Sequence, residues 1–183
     1  MIIFLTEEPS IKPVLQRVMF VLSPEGIEGM DWIVISHQGK ADLRSKLRQK
    51  MQSWHYGSPH FVILRDNDGG DCQANKQDLL DLAAQTGKPH HVRIVCQELE
   101  AWFIGDLAAV ELAFPESRAT QYEHAARFRS PDKVQGASNL IEEITGSAAK
   151  VGRANQIAPH MELKGNRSPS FQVLISTIQA QLN

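Results

Sequence analysis

The chain has 183 residues, of which 42% are hydrophobic and 22% charged, a composition typical of an ordinary globular domain. A formal net charge of -2 excludes nucleic-acid binding through bulk positive charge, so any such contact needs a local basic patch. The two cysteines are too few for a disulfide framework. Since we find neither a signal peptide nor an apolar run long enough to span a membrane, we expect a soluble, cytoplasmic protein with reduced thiols.

Four short apolar runs, each bounded by turn residues or charge, predict buried β-strands. They cover residues 2–5, 32–36, 61–64 and 92–96. Between these runs, apolar residues at helical spacing predict helices over residues 13–22, 42–54 and 73–86. The alternation of strand and helix is typical of an α/β fold with a mainly parallel sheet flanked by helices.

The strand pattern ends after Glu98, and the rest of the chain is mostly helical in pattern. Helices are predicted over residues 99–112, 138–145, 149–157 and 170–182. Residues 113–136 hold several charges and two prolines, which predicts an irregular loop with short turns. We therefore expect an α/β core over residues 1–112 and a helical C-terminal extension over residues 113–183, packed together as one compact unit.

Asp66 and Asp68 follow the third apolar run directly. If the chain stays extended, the two carboxylates point the same way because side chains alternate with a period of two. Carboxylate pairs suit a hard cation such as Mg2+, which keeps its other positions for water and phosphate. The alternative is an acidic, glycine-containing turn, which is a common way to end a strand. We interpret the pair as metal ligands because further acids follow the neighbouring strands.

Those further acids are Glu7, after the first predicted strand, and Glu98 and Glu100, after the fourth. Taken singly, each is also explained as a helix start, where acidic residues are favoured. The carboxyl ends of parallel strands meet at one edge of a sheet, and ligands gather there. A bound cation relieves the repulsion among such carboxylates. The sequence therefore predicts an acidic metal site at this edge.

Basic residues are candidates for phosphate contacts at the same edge. His37 and Lys40 follow the second predicted strand, and Lys40 is suited to hold a phosphate or stabilise developing negative charge. A solvated loop lysine is the alternative interpretation of Lys40. Lys150 and Arg153 lie on a predicted helix and are similar candidates. The charges at positions 46, 48 and 50 are interpreted as a solvated helix face.

Five phrases in chain order resemble a Toprim-like family of uncharacterised bacterial proteins. They are Glu-Glu-Pro-Ser at 7–10, His-Gln-Gly-Lys at 37–40, Asp-Asn-Asp at 66–68, Glu-Leu-Glu-Ala-Trp-Phe-Ile-Gly-Asp at 98–106 and Ser-Pro-Ser-Phe at 168–171. That family is often encoded beside AAA-type ATPases and is related to the overcoming-lysogenization-defect nucleases. The first Toprim motif usually reads Glu-Gly with a second acid, whereas here Glu8 replaces the glycine and Ile11 the acid.

The resemblance implies a Toprim-like sheet and cleavage of phosphodiester bonds in DNA or RNA with Mg2+ or Mn2+. In that scheme Asp66 and Asp68 hold the metal, Glu7 is a metal ligand or general base, and Lys40 contacts the scissile phosphate. Glu98 and Glu100 complete the acidic site. A role in phage defence with an AAA-type ATPase partner is implied in the same way. A non-catalytic subunit docking on that ATPase, or a phosphatase or nucleotidyl transferase acting on small molecules, remains an alternative.

Overall fold

The computed structural model describes residues 1–182. At its centre is a sheet of four parallel strands. They are β1 (Ile2–Thr6), β2 (Trp32–Ser36), β3 (His60–Asp66) and β4 (His90–Val95). Their spatial order is β2-β1-β3-β4, so β1 and β3 occupy the middle of the sheet. The predicted four-stranded parallel sheet is confirmed, and the apolar runs mark its strands to within two residues.

In the described part of the chain, eight α-helices surround the sheet. They are α1 (Lys12–Leu22), α2 (Lys40–Gln52), α3 (Cys72–Ala84), α4 (Glu100–Ile104), α5 (Leu107–Ala113), α6 (Ala137–Thr145), α7 (Lys150–Ile157) and α8 (Pro169–Leu182). The irregular segment predicted between α5 and α6 is confirmed as a series of short 3-10 turns. Within residues 1–182, every helix is too short or too polar to cross a bilayer.

The alternation of side chains along the strands divides the core into two layers. On β1, Ile3 and Leu5 pack with α2 and α3, whereas Ile2 and Phe4 pack with α1 and the helices that follow β4. α8 contacts β4, and α7 contacts α1. The chain after β4 therefore covers one face of the sheet, as expected of a helical cap. The division of the chain at residue 112 stays a prediction.

The single helix predicted over residues 99–112 is wrong, because the chain breaks between α4 and α5. Asp106 leaves the helical conformation, and its carboxylate caps α5 by accepting a hydrogen bond from the Ala109 N–H at 3.1 Å. The Gly105 carbonyl accepts instead from the Arg167 N–H at 2.9 Å. A side chain at position 105 would collide with Asn166. The break therefore depends on a segment about sixty residues further along the chain.

Candidate functional site at the carboxyl edge of the sheet

Acidic residues converge on the carboxyl edge of the sheet, as the sequence predicted. Glu7 and Glu8 follow β1, and Asp66 ends β3, its hydrogen-bonded neighbour. Glu98 and Glu100 follow β4, which pairs with β3. The parallel register brings all five residues to the same edge. The direction of each side chain then sorts them into two groups.

We define the buried acidic cluster as Asp66 and Glu100, which are buried, with the half-buried Glu8 and Glu98 beside them. Asp66 is its centre, only 8% exposed, with Oδ2 accepting a hydrogen bond from the Leu99 N–H at 3.2 Å. Burial, followed by the negative charges of Glu8 and Glu7, raises the pKa of Asp66 well above its ordinary value. A carboxyl group in this environment either keeps a proton or requires a cation nearby.

Lys150 supplies positive charge to the buried acidic cluster. Desolvation lowers the pKa of this ammonium, but the charges of Glu100, Glu8, Glu98 and Asp66 outweigh it and raise the pKa overall. The sequence predicted Lys150 as a phosphate contact, and that role stays a prediction. In the structure, its electrostatic partners are three of the carboxylates that were expected around a metal, together with Glu8.

Glu100 forms a buried ion pair with Arg153. Arg153 Nη2 donates to Glu100 Oε1 at 2.8 Å, and the Ser138 hydroxyl donates to the same oxygen at 3.2 Å. Arg153 is 0% exposed, so its predicted phosphate contact is wrong: the guanidinium lies inside the protein, where it compensates the charge of Glu100. Among the described residues, Glu100 Oε2 is buried without a hydrogen-bond partner.

Asp68 belongs to a second group, on the side of the edge next to α2. Its backbone has a left-handed φ of 50°, so the predicted extension of the strand through this residue is wrong. The turn directs its carboxylate to α2, where Lys40 Nζ donates to Oδ2 at 2.8 Å. Hydrogen bonding to Asp68 raises the pKa of Lys40. Asp66 and Asp68 therefore do not present their carboxylates in the same direction.

Glu7 lies with Asp68 and not with the buried acidic cluster, because it is one residue out of phase with Glu8. Burial, and then the charge of Asp68, raises the pKa of Glu7. The Nε of Arg65 is 4.0 Å from Glu7 Oε2, and neither atom has a hydrogen-bond partner within residues 1–182. The second group thus pairs Glu7 and Asp68 with the cations Arg65 and Lys40.

His37 and Glu98 take different places at this edge. His37 is 3% exposed, and its Nδ1 lies 2.9 Å from the Thr6 carbonyl oxygen, so the predicted phosphate contact at the surface is wrong. Glu98 accepts a hydrogen bond from the Ser138 N–H at 3.0 Å. With Asp68 it lines a cleft of about 450 Å³, which makes this cleft the open approach to the acidic edge.

The fit of this site to a metal ion rests on its donor atoms. Carboxylate oxygens are the ligands that Mg2+ and Mn2+ prefer, and Glu100 Oε2 and Glu7 Oε2 are buried with no partner among the described residues. Within the described part of the chain, however, no three acidic, histidine or cysteine side chains are arranged to hold an ion. The ligand roles predicted for Asp66, Asp68, Glu98 and Glu100 stay predictions.

Glu8 was not among the predicted site residues. In the sequence it was noted only because it stands where the Toprim motif usually has a glycine. Its charge acts on Asp66 more strongly than that of Glu7. The signal was present in the alternation along β1, since position 8 is in phase with Phe4 and Thr6 and not with Leu5. If the alternation of side chains along β1 is continued past the end of the strand, Glu7 and Glu8 are predicted to point to opposite faces of the sheet.

The parallel sheet and its helical cover give the chain a Toprim-like α/β fold, whose carboxyl edge is lined with acidic residues. A similar solved structure is the C-terminal region of the OLD protein of Xanthomonas campestris pv. campestris, with a TM-score of 0.56 and 16% sequence identity, covering 99% of this chain and 95% of that chain. A family model matches residues 6–179, and the chain belongs to that family, described as Domain of unknown function (DUF4276). A search of the curated proteins gives no match.

Proposed function

We propose that this protein is a nuclease that cleaves phosphodiester bonds with the help of Mg2+ or Mn2+ in the cytoplasm. The observation that carries the proposal is the buried acidic cluster at the carboxyl edge, where burial and the neighbouring carboxylates raise the pKa of Asp66. Such an excess of carboxylates favours cation binding. The Toprim-like fold and the family resemblance support the same activity.

The proposed metal ligands are the carboxylates of the buried acidic cluster, with Asp66 at their centre. Lys150 balances their charge in the structure, and its ammonium leaves the cluster when a divalent cation takes over that balance. Rotation of Glu8 and Glu98 would complete the coordination. When bound, the metal polarises the phosphoryl oxygen and lowers the pKa of its water.

The second group, which contains Glu7, Asp68, Arg65 and Lys40, is suited to activating water and to binding a phosphate of the substrate. Glu7 has a raised pKa, which favours a carboxyl group that can accept a proton from an attacking water near neutral pH. The Lys40–Asp68 ion pair is exposed, with 52% and 39% of the two side chains open to solvent. Because exposed pairs contribute only about 0–1 kcal/mol, Lys40 can exchange Asp68 for a phosphate oxygen at little cost.

The test is cleavage of labelled DNA and RNA by the pure protein in Mg2+, in Mn2+ and in a chelator. We expect Asp66→Asn to reduce the rate by at least a hundredfold, since it removes a ligand charge and keeps the shape. Asp81→Asn is the matched control, because Asp81 is an exposed carboxylate of α3. Metal-independent cleavage, or equal rates for Asp66→Asn and Asp81→Asn, would overturn the proposal.

A non-catalytic subunit that docks on an AAA-type ATPase is the second candidate. The observation that favours it is a pair of exposed apolar side chains near the end of α1, Phe20 and Val21. Under this candidate the pure protein cleaves no substrate in any metal. Phe20→Asp would then weaken binding to an AAA-type ATPase partner, whereas Asp66→Asn would leave that binding unchanged.

A further inference from the structure

The outer face of α2 carries an unusual concentration of positive charge. The helix has five basic residues and one acidic residue, in a chain whose net charge is -2. Leu43, Leu47 and Met51 are fully buried, which turns the basic side chains to solvent. A helix of this length extends about 20 Å. It begins at Lys40, beside Asp68, and leads away from the candidate site.

Part of this charge has no partner within the protein. Arg44 pairs with Asp78 of α3, and Lys46 pairs with Asp42 one turn earlier. Arg48 and Lys50 are exposed and form no ion pair within residues 1–182. Helical geometry sets these two residues on opposite flanks of the outer face. Two unpaired cations on either side of one face suit a narrow polyanion lying along it.

The outer face of α2 also presents a shallow, open surface, about 530 Å³ in volume, lined by polar side chains. These are Ser45, Arg48, Gln49, Gln52 and Ser53. Hydroxyl, amide and guanidinium groups are the donors that commonly bind phosphate oxygens. The polar character of this lining argues against an amphipathic peptide as the occupant of the surface.

An aromatic side chain stands just beyond the end of α2. The Tyr56 ring is 83% exposed, while the Tyr56 carbonyl accepts a hydrogen bond from Trp54 Nε1 at 3.0 Å. The backbone is thus held in place and the ring is presented to solvent. An exposed aromatic ring that follows a basic helix face is suited to stacking against single-stranded bases.

We propose that the outer face of α2 binds single-stranded nucleic acid and leads it to Lys40. Arg48 and Lys50 hold phosphates from the two flanks, and Tyr56 stacks on a base. The inference rests on the proposed function, in which Lys40 contacts the phosphate that is cleaved. Binding along α2 needs no metal, so it is measured separately from cleavage.

The test is fluorescence anisotropy with a labelled 12-nucleotide single strand of DNA or RNA, in a chelator that prevents cleavage. We expect Arg48→Glu/Lys50→Glu to weaken binding at least tenfold. The slope of log binding constant against log salt concentration should become less steep by about 0.7 for each phosphate that is no longer bound. The matched control is Arg127→Glu/Arg129→Glu, with the same spacing and charge change at exposed residues on the other face of the sheet. Circular dichroism verifies that both variants fold.

Tyr56→Ala tests whether α2 binds single-stranded nucleic acid in preference to a duplex. We expect about a tenfold loss of affinity for the single strand, as for one stacked base, and no change for a duplex of the same sequence. The inference is overturned if Arg48→Glu/Lys50→Glu binds like its control, or if Tyr56→Ala weakens both substrates equally. If the α2 variants lose binding as expected but Asp66→Asn still cleaves at the wild-type rate, the proposed catalytic site is wrong and the proposed binding face of α2 is supported.

Discussion

Arg153 on α7 and Glu100 on α4 form an ion pair sealed from solvent, with 2.8 Å between Nη2 and Oε1. Removing one member of such a pair leaves a buried charge without compensation. We therefore expect Arg153→Ala to lower the free energy of unfolding by about 3–5 kcal/mol. Urea titration followed by circular dichroism measures the change.

A double variant separates this charge effect from the change in packing. Replacing both members, as in Glu100→Leu/Arg153→Met, removes the uncompensated charge and keeps apolar volume, so we expect it to recover most of the stability. Arg127→Ala, at an exposed arginine, should change stability by less than about 0.5 kcal/mol. A single Arg153→Ala variant as stable as the Arg127→Ala control would show that the pair is not formed.

The buried carboxyl of Asp66 makes stability depend on pH. Because its folded pKa is raised, the folded state binds more protons than the unfolded state, and stability falls as pH rises from about 3.8 through the folded value. Asp66→Asn removes this dependence. In a chelator at pH 7 we expect the variant to be more stable than the wild type. Thermal unfolding between pH 4 and pH 8 tests this, and a less stable variant at pH 7 would contradict it.

Metal binding is expected to stabilise the wild type through the same residue. A ligand present at a hundred times its dissociation constant adds about 2.7 kcal/mol to the free energy of unfolding. We expect Mg2+ or Mn2+ to raise the melting temperature of the wild type and of Asp81→Asn, and to leave Asp66→Asn unchanged. An equal rise in all three proteins would indicate non-specific binding away from the buried acidic cluster.

At the opposite edge of the sheet, His60 and His91 lie side by side with 4.9 Å between ring centroids. Burial first, and then the charge of His91 on His60 and of Arg93 on His91, lowers the pKa of both imidazoles. The unfolded chain therefore takes up protons more readily. The contribution of these two histidines to stability should be fully present above about pH 6.5 and should decrease as pH falls below it.

Melting temperatures at pH 7.5 and pH 5.5 measure this decrease. We expect His60→Gln/His91→Gln to lose part of the difference between the two pH values, because the variant has no imidazole to protonate at these two positions. His124→Gln is the control, since His124 is exposed. If the double variant and the His124→Gln control change equally in stability between pH 7.5 and pH 5.5, the predicted contribution of the two histidines is absent.

Cys96, directly after β4, is expected to react slowly with alkylating reagents. Burial, and then the charge of Asp132, raises the pKa of its thiol from 9.0 to about 11. Only the thiolate reacts, so alkylation at pH 8 should be roughly a hundredfold slower than for an ordinary thiol. Mass spectrometry of iodoacetamide-treated Cys72→Ser, which leaves Cys96 as the single thiol, gives the rate. Rapid labelling at pH 8 would show that Cys96 is not held in this environment.

The sequence by itself determined the sheet and the edge at which the acids gather. Apolar runs of four or five residues can be buried on both faces only as central or covered strands, and helices between them require parallel strands. Parallel strands bring their carboxyl ends together, so Glu7, Asp66 and Glu98 had to lie at one edge. These conclusions need only local patterns and the geometry of the βαβ unit.

The tertiary structure decided which way each side chain points and what it meets. The left-handed backbone at Asp68 ends the alternation and gives its carboxylate to Lys40, whereas Asp66 stays with Glu8 inside the protein. Arg153 can be buried because it forms an ion pair with Glu100, over fifty residues earlier in the chain. Such pairings depend on contacts between distant segments, and a local pattern of residues carries no information about them.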